Sequence, residues 1–184
     1  MEYHASETLW RFHQSNELVR CIRGPVGSGK STACCWELWI RAHQQKPAPD
    51  GKRYSAFAIV RNSYAQLRDT TLATWLDWFS EERVGKFNYS AMEHVISFGD
   101  VEMHVLFRSL DRPQDIKKIL SLEITGAWFN EAREMPRTVV NRMIDRVGRY
   151  PAKRIGGASW RGVILDTNPP DDGHWLMDLE REPP

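Results

Sequence analysis

The sequence predicts an α/β domain in which a mainly parallel sheet is covered by helices on both faces. Short apolar segments alternate with segments of helical spacing, a glycine-rich loop follows the first apolar segment, and polar residues follow the later ones. Strands that alternate with helices form parallel sheets, because a helical crossover returns the chain to the same end of the sheet. The length of 184 residues suits one core, so residues 1–184 are expected to form a single domain.

The individual elements follow from apolar spacing and turn residues. Strands are predicted at 18–23, 54–60, 124–129 and 162–166, and helices at 30–45, 63–79, 115–122 and 136–147. The segments 95–98 and 101–107 flank Gly99-Asp100, which favours a two-residue turn and hence a β-hairpin inserted into the α/β pattern. Residues 46–51 are predicted to be a loop from their proline and glycine content.

Composition excludes some classes of protein and leaves others open. The chain has no run of about 18 apolar residues, so no membrane span is expected. Its 25 Lys and Arg nearly balance its 24 Asp and Glu, and the total charge does not by itself indicate nucleic acid. A basic stretch at 133–154 would suit either phosphate binding or a solvated helix face. The three cysteines form no CxxC pair and are expected to be reduced.

A glycine-rich loop between the first strand and the first helix has the phosphate-binding spacing Gly-x4-Gly-Lys-Ser. Its glycines let backbone N–H groups approach phosphate oxygens, and the helix N-terminus favours an anion. Lys30 is expected to reach the β- and γ-phosphates, Ser31 to bind Mg²⁺, and Thr32 to contact the α-phosphate. The loop residues ahead of them are Gly24, Pro25, Val26, Gly27, Ser28 and Gly29.

Two polar residues, Asn130 and Glu131, follow the apolar strand that ends at Phe129. P-loop hydrolases usually place an Asp for the Mg²⁺ shell and then a Glu as general base at this point. Glu131 is therefore the candidate base that polarises the attacking water. Asn130 occupies the Asp position; its carbonyl oxygen can accept a hydrogen bond from a metal-bound water, but it carries no charge. The alternative for Glu131 is that it merely starts a loop or caps a helix.

The strand at 162–166 also ends in polar residues, Thr167 and Asn168, ahead of two prolines. Asn-Pro is a common turn starter, so a purely local role is possible. The carboxyl edge of a parallel sheet faces the bound nucleotide, however, and there these two residues would sense the γ-phosphate.

The segments GPVGSGKS, AWFNEARE and LDTNPP together resemble the ATPase domain of tailed-phage terminase large subunits, from about Trp10 to Trp175. The resemblance implies a P-loop NTPase of the ASCE type that hydrolyses ATP with Mg²⁺ and moves double-stranded DNA into a procapsid. Its implied partners are the portal protein and the small terminase subunit, with subunits in a homo-oligomeric ring. It also implies the host bacterial cytoplasm, and transient residence at the portal.

The resemblance implies further site residues. A segment ahead of the P-loop would hold the adenine, and Phe12 and His13 occupy that place. An arginine finger is expected in cis or from a neighbouring subunit, and Arg112 is the first choice among several arginines. Terminases of this family carry a second, nuclease domain; with no room for one before Pro184, no DNA cleavage is expected from this chain.

Two other classes of function remain open from the sequence. A small-molecule kinase on the same scaffold would transfer phosphate to a metabolite and should show an arginine-rich lid. A nucleotide-binding assembly module would bind ATP with little hydrolysis, and Asn130 at the usual Asp position gives that alternative some support.

Overall fold

A computed structural model describes residues 2–180 and contains one seven-stranded sheet among them. The strands are β1 (Val19–Arg23), β2 (Arg53–Arg61), β3 (Gly85–Asn88), β4 (Glu93–Phe98), β5 (Val101–Ser109), β6 (Gly126–Asn130) and β7 (Gly162–Thr167). Their order across the sheet is β1-β7-β6-β2-β5-β4-β3. The first five in that order are parallel, while β4 runs antiparallel to both of its neighbours. The predicted parallel sheet with a hairpin insertion is confirmed.

Helices cover both faces of this sheet. They are α1 (Glu7–Gln14), α2 (Lys30–His43), α3 (Tyr64–Gln66), α4 (Ala73–Trp78), α5 (Glu81–Val84), α6 (Pro113–Ile119) and α7 (Arg137–Ile144). A π-helical segment, Leu67–Leu72, joins α3 to α4, and 3-10 turns occur at Ala132–Glu134, Lys153–Ile155 and Trp175–Glu180. No helix in the described part of the chain is both long and apolar enough to cross a membrane.

The core is divided by the sheet because side chains alternate between the two faces of a strand. On β6, Trp128 belongs to the cluster with α1, α2 and α4, whereas Phe129 belongs to the cluster with α6 and α7. On β7, Ile164 and Leu165 divide in the same way. Asn130 and Asp166, two residues after Trp128 and Ile164, therefore lie on the face that α2 covers.

The register of the parallel strands then brings these two polar residues together. Asn130 is the direct partner of Asp166 across β6 and β7, and Asp166 is also level with Ile22 of β1. The P-loop leaves the sheet one residue later, after Arg23. The carboxyl edge of the sheet thus places polar residues of β6 and β7 beside the end of β1, where the loop leading to α2 begins.

Three features differ from the sequence prediction. The helix predicted at 63–79 is interrupted by the π-helical segment, whose Thr71 turns a hydroxyl toward β6. The edge strand β3 was not predicted, because it spans four residues with only Phe87 buried. The helix α1 was not predicted either, although Leu9, Phe12 and His13 are buried at helical spacing.

Candidate nucleotide site

The P-loop adopts a conformation that requires glycine at two positions. Gly27 has φ +77° and Gly29 has φ +79°, in the left-handed region that side-chain-bearing residues rarely adopt. Gly29 directly precedes the first residue of α2, so the loop leads straight into the N-terminus of that helix. The N–H of Gly24 donates to the Thr167 carbonyl at 3.2 Å, which ties the start of the loop to the end of β7.

The Lys30 ammonium is buried within the loop that it follows. It donates to the carbonyl oxygens of Gly24 and Pro25 at 2.8 Å each and lies 3.4 Å from the Ser28 hydroxyl. Its remaining contact is the side-chain oxygen of Asn168, at 3.1 Å. Lys30 therefore links the P-loop to the polar turn after β7. Val26, by contrast, lies exposed at the tip of the loop.

Glu131 follows β6 in a left-handed backbone conformation, with φ +55°. Among the described residues only Glu131 and Met92 combine a positive φ with a side chain other than glycine's. Such conformations persist where surrounding contacts hold them, often at functional sites. Here the contacts are with Asn168, whose backbone N–H and side-chain amide donate to the carboxylate at 3.4 and 3.3 Å. The Arg133 guanidinium lies 4.0 Å away.

Asn168 connects the two predicted chemical groups of the site. Its amide oxygen accepts from Lys30 while its amide nitrogen donates to Glu131. The oxygen and the nitrogen of one amide group thus contact the lysine predicted to bind phosphate and the candidate base. Thr167, the other predicted sensor residue, is buried and donates its hydroxyl to the Asn168 carbonyl at 2.8 Å.

Asp166 is a site residue that the sequence reasoning missed. Its carboxylate accepts from the Ser31 hydroxyl at 3.2 Å, from the Trp128 indole at 2.7 Å, and from the Asn130 amide at 3.0 and 3.1 Å. Burial raises the pKa of this carboxyl above its ordinary value, and the three donors act in the opposite direction. The alternation of side chains along β7 could have placed Asp166 on the same face of the sheet as Ile164. Its contact with Asn130, however, depends on the register between β6 and β7, which the sequence does not give.

The prediction for Asn130 needs a correction. Its carbonyl oxygen accepts from the Arg61 guanidinium at 3.0 Å and from the Thr71 hydroxyl at 2.6 Å. Its NH₂ group, which cannot bind a metal, faces Ser31 at 3.3 Å and Asp166. The oxygen that was expected to meet a metal-bound water is thus already engaged on the side away from Ser31.

The oxygen ligands next to the P-loop suit Mg²⁺. The Ser31 hydroxyl and the Asp166 carboxylate are the hard donors that this ion prefers, and sites of this kind use one or two carboxylates together with substrate phosphates. Thr32, half-buried in the first turn of α2, is the next residue along the same helix start.

Phe12 and His13, predicted to hold adenine, are both buried where α1 packs against α2. The two ring nitrogens of His13 are engaged, one with Glu37 at 2.6 Å and the other with the Tyr3 hydroxyl at 2.8 Å. The Phe12 ring lies under the Arg20 guanidinium at 4.8 Å. The structure gives both side chains a packing role, and their contact with adenine stays a prediction.

Arg112, predicted as the finger, lies far from the P-loop within the subunit. It immediately precedes α6, after β5, and β5 is four strand positions from β1. With neighbouring strands about 4.8 Å apart, this is a separation of about 19 Å across the sheet. Glu131, which follows β6, lies only two strand positions from β5, so a role of Arg112 in cis stays a prediction. Arg112 is exposed, so a role toward a neighbouring subunit stays a prediction.

A P-loop, a nearby glutamate and a polar turn at the carboxyl edge of a parallel sheet define a P-loop nucleotide-binding protein. The phage terminase large subunit family model matches residues 16–179, and the chain belongs to that family. Comparison with curated protein sequences found no significant match.

Solved structures share the fold at low sequence identity. The chain is similar to the large terminase of a thermophilic bacteriophage (17% identity, TM-score 0.67), covering 95% of this chain and 41% of that one. The ATPase domain of the Thermus phage P74-26 large terminase has 17% identity and a TM-score of 0.63, and the match covers 96% of this chain and 69% of that one. The HK97 bacteriophage large terminase has 10% identity and a TM-score of 0.64, and the match covers 97% of this chain and 37% of that one. The chain thus spans about two fifths of the length of the first of these relatives.

Proposed function

We propose that this chain binds ATP with Mg²⁺ and hydrolyses it, and that the hydrolysis drives double-stranded DNA into a viral procapsid. The observation that carries the proposal is the Asn168 side chain, which contacts both Lys30 and Glu131. Membership in the terminase large subunit family supports the same reading. A structure of the thermophilic-phage terminase contains ATP-gamma-S, which supports nucleotide binding at this fold.

Each part of the site has a distinct role in the proposed reaction. The P-loop N–H groups and Lys30 bind the phosphates, and Ser31 contacts the metal ion. Mg²⁺, when bound, neutralises phosphate charge. Glu131 accepts a proton from the attacking water, and the two N–H groups of Asn168 hold its carboxylate in place. Thr167 and Asn168 then transmit loss of the γ-phosphate to the rest of the subunit.

Substitution of Glu131 by Gln tests the hydrolytic role directly. Glu131→Gln should keep the affinity for ATP within about threefold and lower turnover by about 10²–10⁴, the range that general bases contribute. Glu123→Gln is the matched control, since that exposed residue precedes the same strand. Turnover by Glu131→Gln equal to that of the control would refute the role of Glu131 as base.

The two alternatives make different predictions. A small-molecule kinase would transfer phosphate to a metabolite rather than to water, and family membership does not favour it. An assembly module would bind ATP with negligible turnover whether residue 131 is Glu or Gln. Measuring phosphate release from ATP alone separates both alternatives from the proposed hydrolase.

A basic groove supplies a candidate surface for the DNA partner. Four cationic side chains and one carboxylate line a cavity of about 690 Å³ between α6 and α7, namely Lys117, Arg142, Arg146, Arg149 and Asp145. Within residues 2–180, Lys117, Arg142 and Arg146 make no ion pair with an acidic side chain. Phosphodiester oxygens are the natural partners of such unpaired cations. We propose that this groove contacts the DNA backbone.

The assembly around this subunit is proposed from the family alone. We propose that subunits form a homo-oligomeric ring at the portal protein in the host cytoplasm, with the small terminase subunit as a further partner. The exposed Arg112 would then enter the site of a neighbour as a finger. A finger in trans can be worth about 10³–10⁵ in rate. Turnover should therefore rise faster than in proportion to protein concentration.

A further inference from the structure

Asp166 is an unusual carboxylate within this site because it is buried with no cationic partner among the described residues. Its side chain is fully buried, and it forms no ion pair with any residue from 2 to 180. Its donors are a hydroxyl, an amide and an indole, which are all neutral. A buried carboxylate that has only neutral partners is costly, and a cation beside it would offset that cost.

The place of Asp166 relative to the P-loop indicates which cation that is. Its Oδ2 atom is 3.2 Å from the Ser31 hydroxyl, the group expected to contact Mg²⁺. The Asn130 amide is also 3.3 Å from the same hydroxyl. Ser31 therefore contacts both Asn130 and Asp166, which are direct partners across β6 and β7. Of the two, only Asp166 can carry a negative charge.

The chemistry of this pair explains why residue 130 is an amide. An Asp at position 130 would bring two carboxylates within about 3 Å, and like charges at that distance cannot both be ionised readily. Asn130 instead donates to Asp166 while its own oxygen accepts from Arg61 and Thr71. The usual carboxylate is thus present in the site, displaced by one strand.

We propose that Asp166 supplies the carboxylate charge for the Mg²⁺ ion of bound Mg–ATP, next to Ser31, and that Asn130 positions it. This inference rests on the proposed function, since it assumes that Mg–ATP is the ligand. It makes Asp166, rather than Asn130, the acidic residue on which metal-dependent nucleotide binding depends.

Exchange of the two residues tests this directly. The affinity for ATPγS is measured with Mg²⁺ and with EDTA for the wild type, Asp166→Asn and the double variant N130D/D166N. The ratio of the two affinities reports the metal contribution without any turnover. Asp166→Asn should lower this ratio by about 10–100-fold, the usual cost of removing such a supporting carboxylate. The double variant retains one carboxylate and one amide, so its ratio of the two affinities should stay within about threefold of the wild-type ratio.

Titration with Mn²⁺, followed by electron paramagnetic resonance on the ATPγS complex, provides a second readout. The affinity for Mn²⁺ should follow the same order among the three proteins, with Asp166→Asn binding Mn²⁺ most weakly. An unchanged ratio in Asp166→Asn would overturn the proposal, as would equal losses in Asp166→Asn and the double variant. If circular dichroism shows that Asp166→Asn does not fold, the test rests on the folded double variant. Loss of the Mg²⁺ dependence in the double variant would overturn the proposal, and retention of that dependence would support it. A wild type that binds no ATPγS would instead refute the proposed function.

Discussion

At the scale of single residues, the proposed link between nucleotide binding and hydrolysis rests on the contacts of Asn168. Asn168 accepts from Lys30 at 3.1 Å and donates to Glu131 at 3.3 Å. Two of its N–H groups face the same carboxylate, one from the backbone and one from the side chain. Removal of the side chain leaves only the backbone N–H of Asn168 as a donor from this residue, so Glu131 loses part of what holds its left-handed conformation.

Asn168→Ala should therefore reduce ATP turnover more than ATP affinity. A hydrogen bond to a charged group is worth about 1.5–3 kcal/mol, which corresponds to roughly 10–100-fold in rate. Steady-state phosphate release and equilibrium ATPγS binding provide the two measurements. Asn141→Ala, at an exposed position on α7, is the control and should change neither. A loss of affinity as large as the loss of turnover would contradict a coupling role.

The sequence was sufficient to place those candidate residues whose position depends only on their own local segment. Lys30, Ser31, Glu131 and Asn168 each follow a strand or start a helix, so local spacing places them at the carboxyl edge of the sheet. The roles of Arg61, Thr71 and Asp166 could not be predicted in this way. Their contacts with Asn130 arise from strand register and from a π-helical turn, which bring together residues 36 to 69 positions apart in the chain.

At the scale of elements, α1 is fixed to α2 by a buried charged cluster centred on Glu37. The Glu37 carboxylate contacts Arg20 at 2.7 Å, Arg41 at 2.6 Å and His13 at 2.6 Å. Burial alone would raise the pKa of Glu37, but the hydrogen bond from His13 and the charges of Arg20 and Arg41 outweigh it and lower the pKa. The cluster lies on the α2 face of the sheet, on the helix that begins at the P-loop lysine.

Glu37→Gln should destabilise the fold by about 3–5 kcal/mol at pH 7, because it leaves buried cations without their partner. The pKa of Glu37 is lowered in the folded chain, so its stabilisation is complete above the ordinary value of 4.5 and is lost as pH falls through the lowered pKa. Urea unfolding at several pH values should show the wild-type advantage shrinking below pH 4.5. Glu7→Gln, which breaks the exposed Glu7–Arg11 pair, is the control and should change stability little. A difference that stays constant down to pH 3 would contradict the ionisation of Glu37 as the cause.

The elements that the sequence did not predict are those whose stability comes from neighbours. The strand β3 is four residues long and, among the described strands, pairs only with β4. The π-helical segment has ordinary helical spacing in its sequence, and its wider turn is visible only in the backbone of the structure, where Thr71 donates to Asn130. Periodicity reports which side of an element is apolar but does not report such local changes of helical pitch.

At the scale of the whole molecule, the basic groove and the nucleotide site lie at opposite edges of the sheet. Val147, between Arg146 and Gly148, pairs with Ile124 ahead of β6, whereas the P-loop follows the carboxyl end of β1. The basic stretch predicted at 133–154 is therefore divided by α7. Arg133 and Arg137 contact Glu131 and Asp178, while Arg142, Arg146 and Arg149 line the groove.

The double variant R142E/R146E should weaken binding to double-stranded DNA and reduce its salt dependence. Loss of two phosphate contacts should lower the slope of log affinity against log salt by about 2. R83E/K86E makes the same change of charge at exposed positions near β3 and serves as the control. Fluorescence anisotropy over a range of salt concentrations measures both quantities. Equal effects of the two double variants would exclude the groove as the DNA contact.

The central claim, that a P-loop ATPase site is coupled to DNA, is tested most directly by ATP turnover of the wild type with and without double-stranded DNA. The proposed coupling predicts phosphate release that exceeds that of Glu131→Gln by about 10²–10⁴ and rises further when DNA is added. Tight ATP binding with turnover no greater than that of Glu131→Gln, in either condition, would contradict the claim and favour a nucleotide-binding assembly module.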